Sequence, residues 1–326
     1  MKHSSRLIQQ TITAIGCANG SGGKHLGCEN AVNILRNSKF LPEIHVPIKW
    51  KGVVEEVQTG RHFSALSGVT QTCRKLAFQT RKVIENKENL LVLGGDHSCA
   101  IGTWSGVASA IRPHGDLGLV WVDAHMDAHT PSSSPSGNLH GMPVAHLLGF
   151  GDKELVQIGD QLPKILPHNM CMVGIRSYEK KEQLYIRKAT KFRELLEHLG
   201  VRIFYMDEVE KRGIAEVMQE ALYIVNRNTV GFGFSIDIDG FDVADAPAVG
   251  TPAENGIIAN EFLRTVLTLD LSKLLATEIV EFLPQFDDQH KSSEKLVVNL
   301  MEAIYLTKFF QHNTAAALQE RMQSST

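Results

Sequence analysis

The sequence has no run of about 18 apolar residues, the length a membrane helix needs, and its mean hydropathy is −0.09. It also has little net charge. Thirty-three Lys plus Arg stand against 36 Asp plus Glu, a balance of −3, which offers nucleic acid no electrostatic footprint. Cysteines are few: Cys17, Cys28, Cys73, Cys99 and Cys171, none in a CxxC pair. An odd number of thiols over 326 residues is not a disulfide framework, so free thiols in a reducing compartment are expected. MKHSSRLIQQTITAIGCANG lacks a continuous apolar core, so no signal peptide is expected and the predicted location is cytoplasmic. A Pro/Ser-rich linker is missing too. The one low-complexity run, from Thr130 to Gly137, directly follows a predicted strand and reads as a loop. With no internal repeat, one domain over 1–326 is expected, with a frayed tail over about 314–326. What remains is ordinary globular composition, 43% hydrophobic and 21% charged, enough to bury a sizeable core.

Short β-rich runs alternate with helical patterns. Strands are predicted at 11–16, 90–93, 117–122, 170–174, 202–206, 231–236 and 274–280. Most are nearly continuous apolar runs, as in LGLVWV, the mark of strands covered on both faces. Helices are predicted over about 28–37, 63–87, 98–111, 181–199, 208–227, 259–269 and 292–311. Repeated strand–helix–strand units imply a parallel sheet between helix layers.

Three polar segments each follow a predicted strand: Gly94-Gly95-Asp96-His97-Ser98, Asp123-Ala124-His125-Met126-Asp127 and Ser235-Ile236-Asp237-Ile238-Asp239-Gly240. In extended chain the side-chain period is two, so 123, 125 and 127 share a face, as do 237 and 239. Parallel strands deliver their carboxyl ends to one edge, where α/β proteins place their sites. A lone His97 reads as a loop or helix-start residue, and a lone Asp96 or Asp239 as a helix cap. The set reads differently, because three polar groups on one face after a buried strand are costly without partners. Four carboxylates and two imidazoles overcharge a single divalent ion, so two ions fit better, held by shared carboxylates. Aspartate-rich coordination with some imidazole suits Mn²⁺, Co²⁺, Fe²⁺ or Ni²⁺. Such a pair acidifies a bound water toward neutrality. A binuclear metallohydrolase is the reading the residues support, ahead of a mononuclear zinc deacetylase.

GGDHS, DAHMD and SIDIDGFD in this order resemble the ureohydrolase family of arginases, agmatinases and formiminoglutamases, over nearly the whole chain from Gly27-Cys28-Glu29 to about Ile304. The resemblance implies a three-layer α/β/α sandwich around a mainly parallel, about eight-stranded sheet. It implies two Mn²⁺ per chain, with Co²⁺, Ni²⁺ or Fe²⁺ as possible substitutes. One ion would lie on His97, Asp123, Asp127 and Asp237, the other on His125, Asp123, Asp237 and Asp239. Ser136-Gly137-Asn138-Leu139-His140-Gly141 is similar to the arginase form of its loop, and His140 matches a mobile acid/base histidine. Ile279-Val280-Glu281-Phe282-Leu283-Pro284 resembles the segment whose glutamate pairs with a guanidinium.

The implied reaction is L-arginine plus water to L-ornithine and urea, with attack by a metal-bridging hydroxide. Asp127 would help relay the hydroxide's proton, and His140 would deliver one to the departing amine. Substrate contacts are expected from His129, Ser136 and Asn138 at the α-carboxylate, Glu179 near the α-amino group, and Thr251 in a loop lining the site. Arginases usually carry Asn at the position of His129 and Asp at that of Glu179. Another ureohydrolase, acting on agmatine, a guanidino acid or formiminoglutamate, therefore stays open. So does a non-catalytic metal or guanidino-ligand sensor on the same fold. A homo-oligomer, trimer or hexamer, is implied by the resemblance.

Overall fold

The computed structural model describes residues 10–177 and 194–323. Glu179 and most of the helix expected over 181–199 lie outside the described residues; 194–199 are helical. Among the described residues eight strands form one sheet: β1 Ile12–Ala18, β2 Ile48–Glu55, β3 Asn89–Leu93, β4 Leu117–Val122, β5 Met170–Ile175, β6 Arg202–Tyr205, β7 Gly231–Asp237 and β8 Leu274–Val280. Their order is β2-β1-β3-β8-β7-β4-β5-β6, and every pairing is parallel.

The missing alternation in the strand sequences has its explanation here. On one face Ile12, Ala14, Leu91, Leu93, Val120 and Val122 pack against Leu35, Val209, Val217, Phe262 and Val297. Those partners come from α1 (Ala31–Arg36), α6 (Met206–Arg212), α7 (Ile214–Asn226), α8 (Ala259–Val266) and α9 (Ser292–Gln323). On the other face Ile15, Cys17, Leu90, Val92, Leu119 and Trp121 meet Leu76, Trp104, Val107 and Val144, from α2 (Leu66–Glu85), α3 (Ala100–Ile111) and α4 (Pro143–Leu147). Neighbouring residues of one strand thus serve opposite cores. Each fully buried Val, Leu or Ile contributes roughly 1.5–3 kcal/mol, and a polar residue inside the sheet, such as Ser235 or Glu278, must find hydrogen-bond partners there.

Four differences from the sequence reading have local causes. Strand β2 escapes a search for apolar runs because it is an edge strand, with Lys49, Lys51 and Glu55 exposed. Its register against β1 shifts between Ala14 and Ile15, leaving Lys51 as the extra residue. The helix expected over 208–227 is two helices, broken at Gly213, whose φ of 82° is outside the helical range. The last helix runs to Gln323, past 311 and into the stretch read as a tail. AAALQERMQ is rich in strong helix formers. The short α4 and α5 (Lys153–Val156) are too brief to show a period.

Strands β3, β8, β7 and β4 are neighbours at the sheet centre. Strands β3, β4 and β7 are each followed by one of the polar segments and β8 by Glu281, so the chemistry-bearing residues meet above these four carboxyl ends.

Candidate metal centre and active site

After β3, Gly95 passes so close to Asn19 that a Cβ on it would stand 1.7 Å from the Asn19 carbonyl oxygen. Asp96 then caps the turn at His97–Cys99, accepting the Ser98 N–H at 3.0 Å, and also accepts from Gly22 N–H. The cap reading of Asp96 holds. His97 is thereby fixed at the start of the helical segment, fully buried, with its ring stacked on Trp121 at 4.0 Å and 9°.

The convergence of Asp123, His125 and Asp127 does not come from extended alternation. Strand β4 ends at Val122, the chain bends, and Asp127 has a φ of 46°. That left-handed conformation is uncommon for a residue with a Cβ and is found at functional sites. The Asp127 carbonyl is held by Val144 N–H at 2.9 Å. Glu281, just past β8, has a φ of 66° and is tied to the Gly95 carbonyl through its own N–H. Both residues turn back toward the centre because the chain leaves the strand direction there.

Two groups of ligand atoms result, His97–Asp123–Asp127 and Asp123–His125–Asp239, each with its atoms within 4.8 Å of one another. In the first, His97 Nδ1 lies 3.3 Å from Asp123 Oδ2, 3.2 Å from Asp127 Oδ2 and 3.4 Å from Asp237 Oδ2. In the second, His125 Nδ1 lies 3.5 Å from Asp123 Oδ1 and 3.0 Å from Asp239 Oδ2. Asp123 belongs to both, one oxygen to each. Asp237 stands with the first group, since its Oδ1 already accepts the Asp239 N–H at 2.8 Å.

These residues fit divalent cations. His97 Nδ1 is buried and makes no hydrogen bond among the described residues, although three carboxylate oxygens surround it. A nitrogen so placed is oriented for a cation between it and the carboxylates. Charge crowding agrees. Burial and the neighbouring Asp123 charge push Asp127 up to about 6, and burial with the Asp239 and Asp123 charges raises Asp237 well above the carboxylate range. Like charges this close are relieved by a cation.

Beside the two groups, His140 Nδ1 lies 2.9 Å from Glu281 Oε1. That oxygen also accepts the His97 N–H at 2.8 Å, whereas among the described residues Oε2 has the Cys28 thiol, at 3.7 Å, as its one hydrogen-bond partner. Burial lowers the His140 pKa, but the Glu281 carboxylate outweighs it and lifts the ring to about 9. Burial would raise Glu281, and the His140 charge reverses that and holds it below its ordinary range.

Of the remaining expected residues, Thr251, Ser136, Asn138 and His129 are described and Glu179 is not. Thr251 Oγ donates to Asp239 Oδ2 at 3.0 Å, which ties it to a group member. Asn138 Oδ1 meets His62 Nδ1, and the Asn138 N–H reaches Ser136 Oγ at 3.2 Å. His129 N–H donates to the Gly141 carbonyl at 3.0 Å, and its ring Nδ1 lies 3.5 Å from Ser133 Oγ. The sequence reading missed the supporting layer. Trp121 Nε1 donates to Asp123 Oδ2 at 2.8 Å, and Ser235 Oγ stands 3.0 Å from His97 Nε2. Arg176 spans the carbonyls of Asp239, Gly240 and Phe241. The G-x-R at the end of β5 was the available signal for Arg176; Trp121 and Ser235 lie inside apolar strands and give none.

A model of the arginase family matches residues 12–307. The arginase of Bacillus caldovelox is 38% identical over 241 residues, 74% of this chain and 76% of the relative. That of Bacillus subtilis strain 168 is 34% identical over 305 residues, 91% of this chain and 98% of the relative. The native structure of the Bacillus caldovelox arginase superposes with a TM-score of 0.81 at 32% identity, covering 91% of this chain and 98% of that one.

Proposed function

The chain belongs to the arginase family, and we propose that its site hydrolyses L-arginine to L-ornithine and urea with two Mn²⁺ ions. The observation that carries this reading is the pair of ligand groups sharing Asp123, set beside the His140–Glu281 pair. His97, Asp123, Asp127 and Asp237 would hold one ion. His125, Asp123 and Asp239 would hold the other, with Asp237 in reach as a second bridge. When bound, the ions supply Lewis acidity and a water acidified enough to attack at neutral pH.

The chain's own residues do the rest. Glu281 is buried and fixed by the His97 N–H, and among the described residues its Oε2 has only a thiol for a partner. A buried carboxylate needs a cation, and a planar guanidinium answers it with paired N–H donors. Asp127 would hold the cation through Oδ2, the oxygen facing His97, and its other carboxylate oxygen would accept a proton from the attacking water. His140 is held cationic by Glu281, so it can give a proton to the leaving amine, which departs poorly as an anion. A guanidinium docking on Glu281 competes with His140 for that carboxylate and frees the ring to face the amine. His129, Ser136 and Asn138 would meet the α-carboxylate, Glu179 the α-amino group, and Thr251 would line the site while holding Asp239. Family resemblance supports a cytoplasmic homo-oligomer, trimer or hexamer. Among the described residues no helix is long and apolar enough to cross a membrane.

The test is urea release from L-arginine, agmatine and a guanidino acid with Mn²⁺ supplied. L-Arginine should exceed agmatine in kcat/KM by orders of magnitude, because donors built for a carboxylate lose their partner in agmatine. Equal use of agmatine would overturn the substrate. Two bound ions with no urea from any of the three would favour a sensor.

A further inference from the structure

Glu278 lies in the middle of β8 with no exposed surface. The reaction gives it nothing to do, and a carboxylate buried without a use is costly. Its partners are all donors. Trp104 Nε1 donates to Oε2 at 3.1 Å, Ser235 Oγ to the same oxygen at 2.9 Å, and the Cys99 thiol approaches Oε1 at 3.6 Å. Trp104 reaches it because β7 carries Gly233 beneath the indole, where a Cβ would stand 2.1 Å from a ring carbon.

The hydrogen bonds fix a direction. An indole N–H can only donate and a carboxylate can only accept, so as a carboxylate Glu278 takes both the Trp104 N–H and the Ser235 hydroxyl proton on Oε2. Ser235 Oγ then has only lone pairs left for His97 Nε2, 3.0 Å away. His97 must therefore carry its proton on Nε2. Its lone pair is on Nδ1, the buried nitrogen that makes no hydrogen bond among the described residues and faces Asp123, Asp127 and Asp237. We infer that Glu278 is a positioning residue for the metal centre: through Ser235 it fixes the tautomer and orientation in which His97 presents Nδ1 to a cation. The inference rests on the metal-centre reading above and reaches past the ligands to a residue three bonds' relay away. Partners of this kind change metal affinity by about 10–100-fold in known sites.

The experiment dialyses the full Mn²⁺-loaded chain against falling free Mn²⁺, counts retained metal, and uses electron paramagnetic resonance to separate coupled ion pairs from single ions. In Glu278→Leu, which frees the Ser235 proton to turn toward His97, the free Mn²⁺ needed to hold one ion should rise about 10–100-fold. The other ion should be held as in the unmodified chain, so the coupled signal gives way to a single-ion signal. Ser235→Ala breaks the relay while leaving Glu278 its Trp104 and Cys99 partners, and should lose the same ion; it decides the matter if Glu278→Leu fails to fold. Glu278→Gln can place its amide oxygen at the Oε2 position and should retain both ions. Loss in Glu278→Gln as large as in Glu278→Leu would overturn the tautomer relay. So would retention of both ions, or equal loss of both, in Ser235→Ala. An unmodified chain that holds two ions but releases no urea would refute the arginase reading and leave this inference standing.

Discussion

Arg176 should carry far more than a surface arginine does. Its guanidinium donates to six carbonyl oxygens: Glu254 at 3.0 Å, Gly174 at 3.1 Å, Gly240 at 3.1 Å, Asp239 at 2.8 Å, Phe241 at 3.1 Å and Ala253 at 2.8 Å. It ties the end of β5 to the turn after β7 and to the 253–254 loop. Five N–H groups serving six acceptors means that one is shared. At the low end of about 0.5 kcal/mol per bond, the six are worth about 3 kcal/mol. Arg176→Ala should lose that much in a urea or guanidinium titration, with an unchanged slope. Arg176→Lys has three N–H donors and should lose roughly half as much. The loss should reach the site, because the turn that Arg176 holds contains Asp239, whose Oδ2 faces His125. Both variants should therefore bind one Mn²⁺ more weakly and recover activity when Mn²⁺ is raised. Stability of Arg176→Ala within 1 kcal/mol of the unmodified chain, or activity indifferent to added Mn²⁺, would refute the reasoning.

His140→Ala should lower kcat by about 10²–10⁴-fold with a smaller change in KM, measured by urea release under saturating Mn²⁺; an unchanged kcat would remove His140 from the proton path. Glu281→Gln should damage both parameters, since the amide keeps the shape but cannot answer the guanidinium charge, and full activity in it would point to a different carboxylate. His146 should shape the acid limb of stability. It is buried, donates from Nδ1 to the Met142 carbonyl at 2.7 Å and accepts the Asp152 N–H on Nε2 at 3.0 Å, and burial holds its pKa below the ordinary 6.5. The unfolded chain then binds the extra proton first, so stability is full above 6.5 and falls as the pH drops through the window below it. His146→Gln should flatten that slope in melting temperature against pH, and an equally steep slope would assign the acid limb elsewhere. His129→Leu should cost L-arginine more than agmatine in kcat/KM, and equal losses would remove His129 from the carboxylate pocket.

Legibility in the sequence followed burial and period. Seven of the eight strands were visible because their interiors are almost wholly apolar, and the eighth hid its Lys-rich edge. The polar segments after β3, β4 and β7 stood out for the converse reason: acidic and imidazole groups directly after a buried run demand partners. Glu281 was visible only through its likeness to a known segment. The supporting roles of Trp121, Ser235 and Glu278 were not visible, because one buried polar or aromatic residue inside an apolar strand looks the same whether it supports a site or merely packs.

The sequence by itself therefore determined the layered parallel architecture and the identity of the residues gathered at its carboxyl edge. Both depend on chemistry that is local along the chain: apolar runs of strand length, helical periods between them, and polar groups too costly to bury alone. Tertiary structure decided how those residues divide. Strand order put β8 between β3 and β7, so Glu281 reaches His97 and His140 across the sheet. The left-handed turn at Asp127 and the bend after β4 split the carboxylates into two groups joined by Asp123. The buried relay from Glu278 to His97 exists only because three strands and a helix are packed together. Distances between residues far apart in the chain are set by strand order and packing, and no spacing along the sequence encodes them.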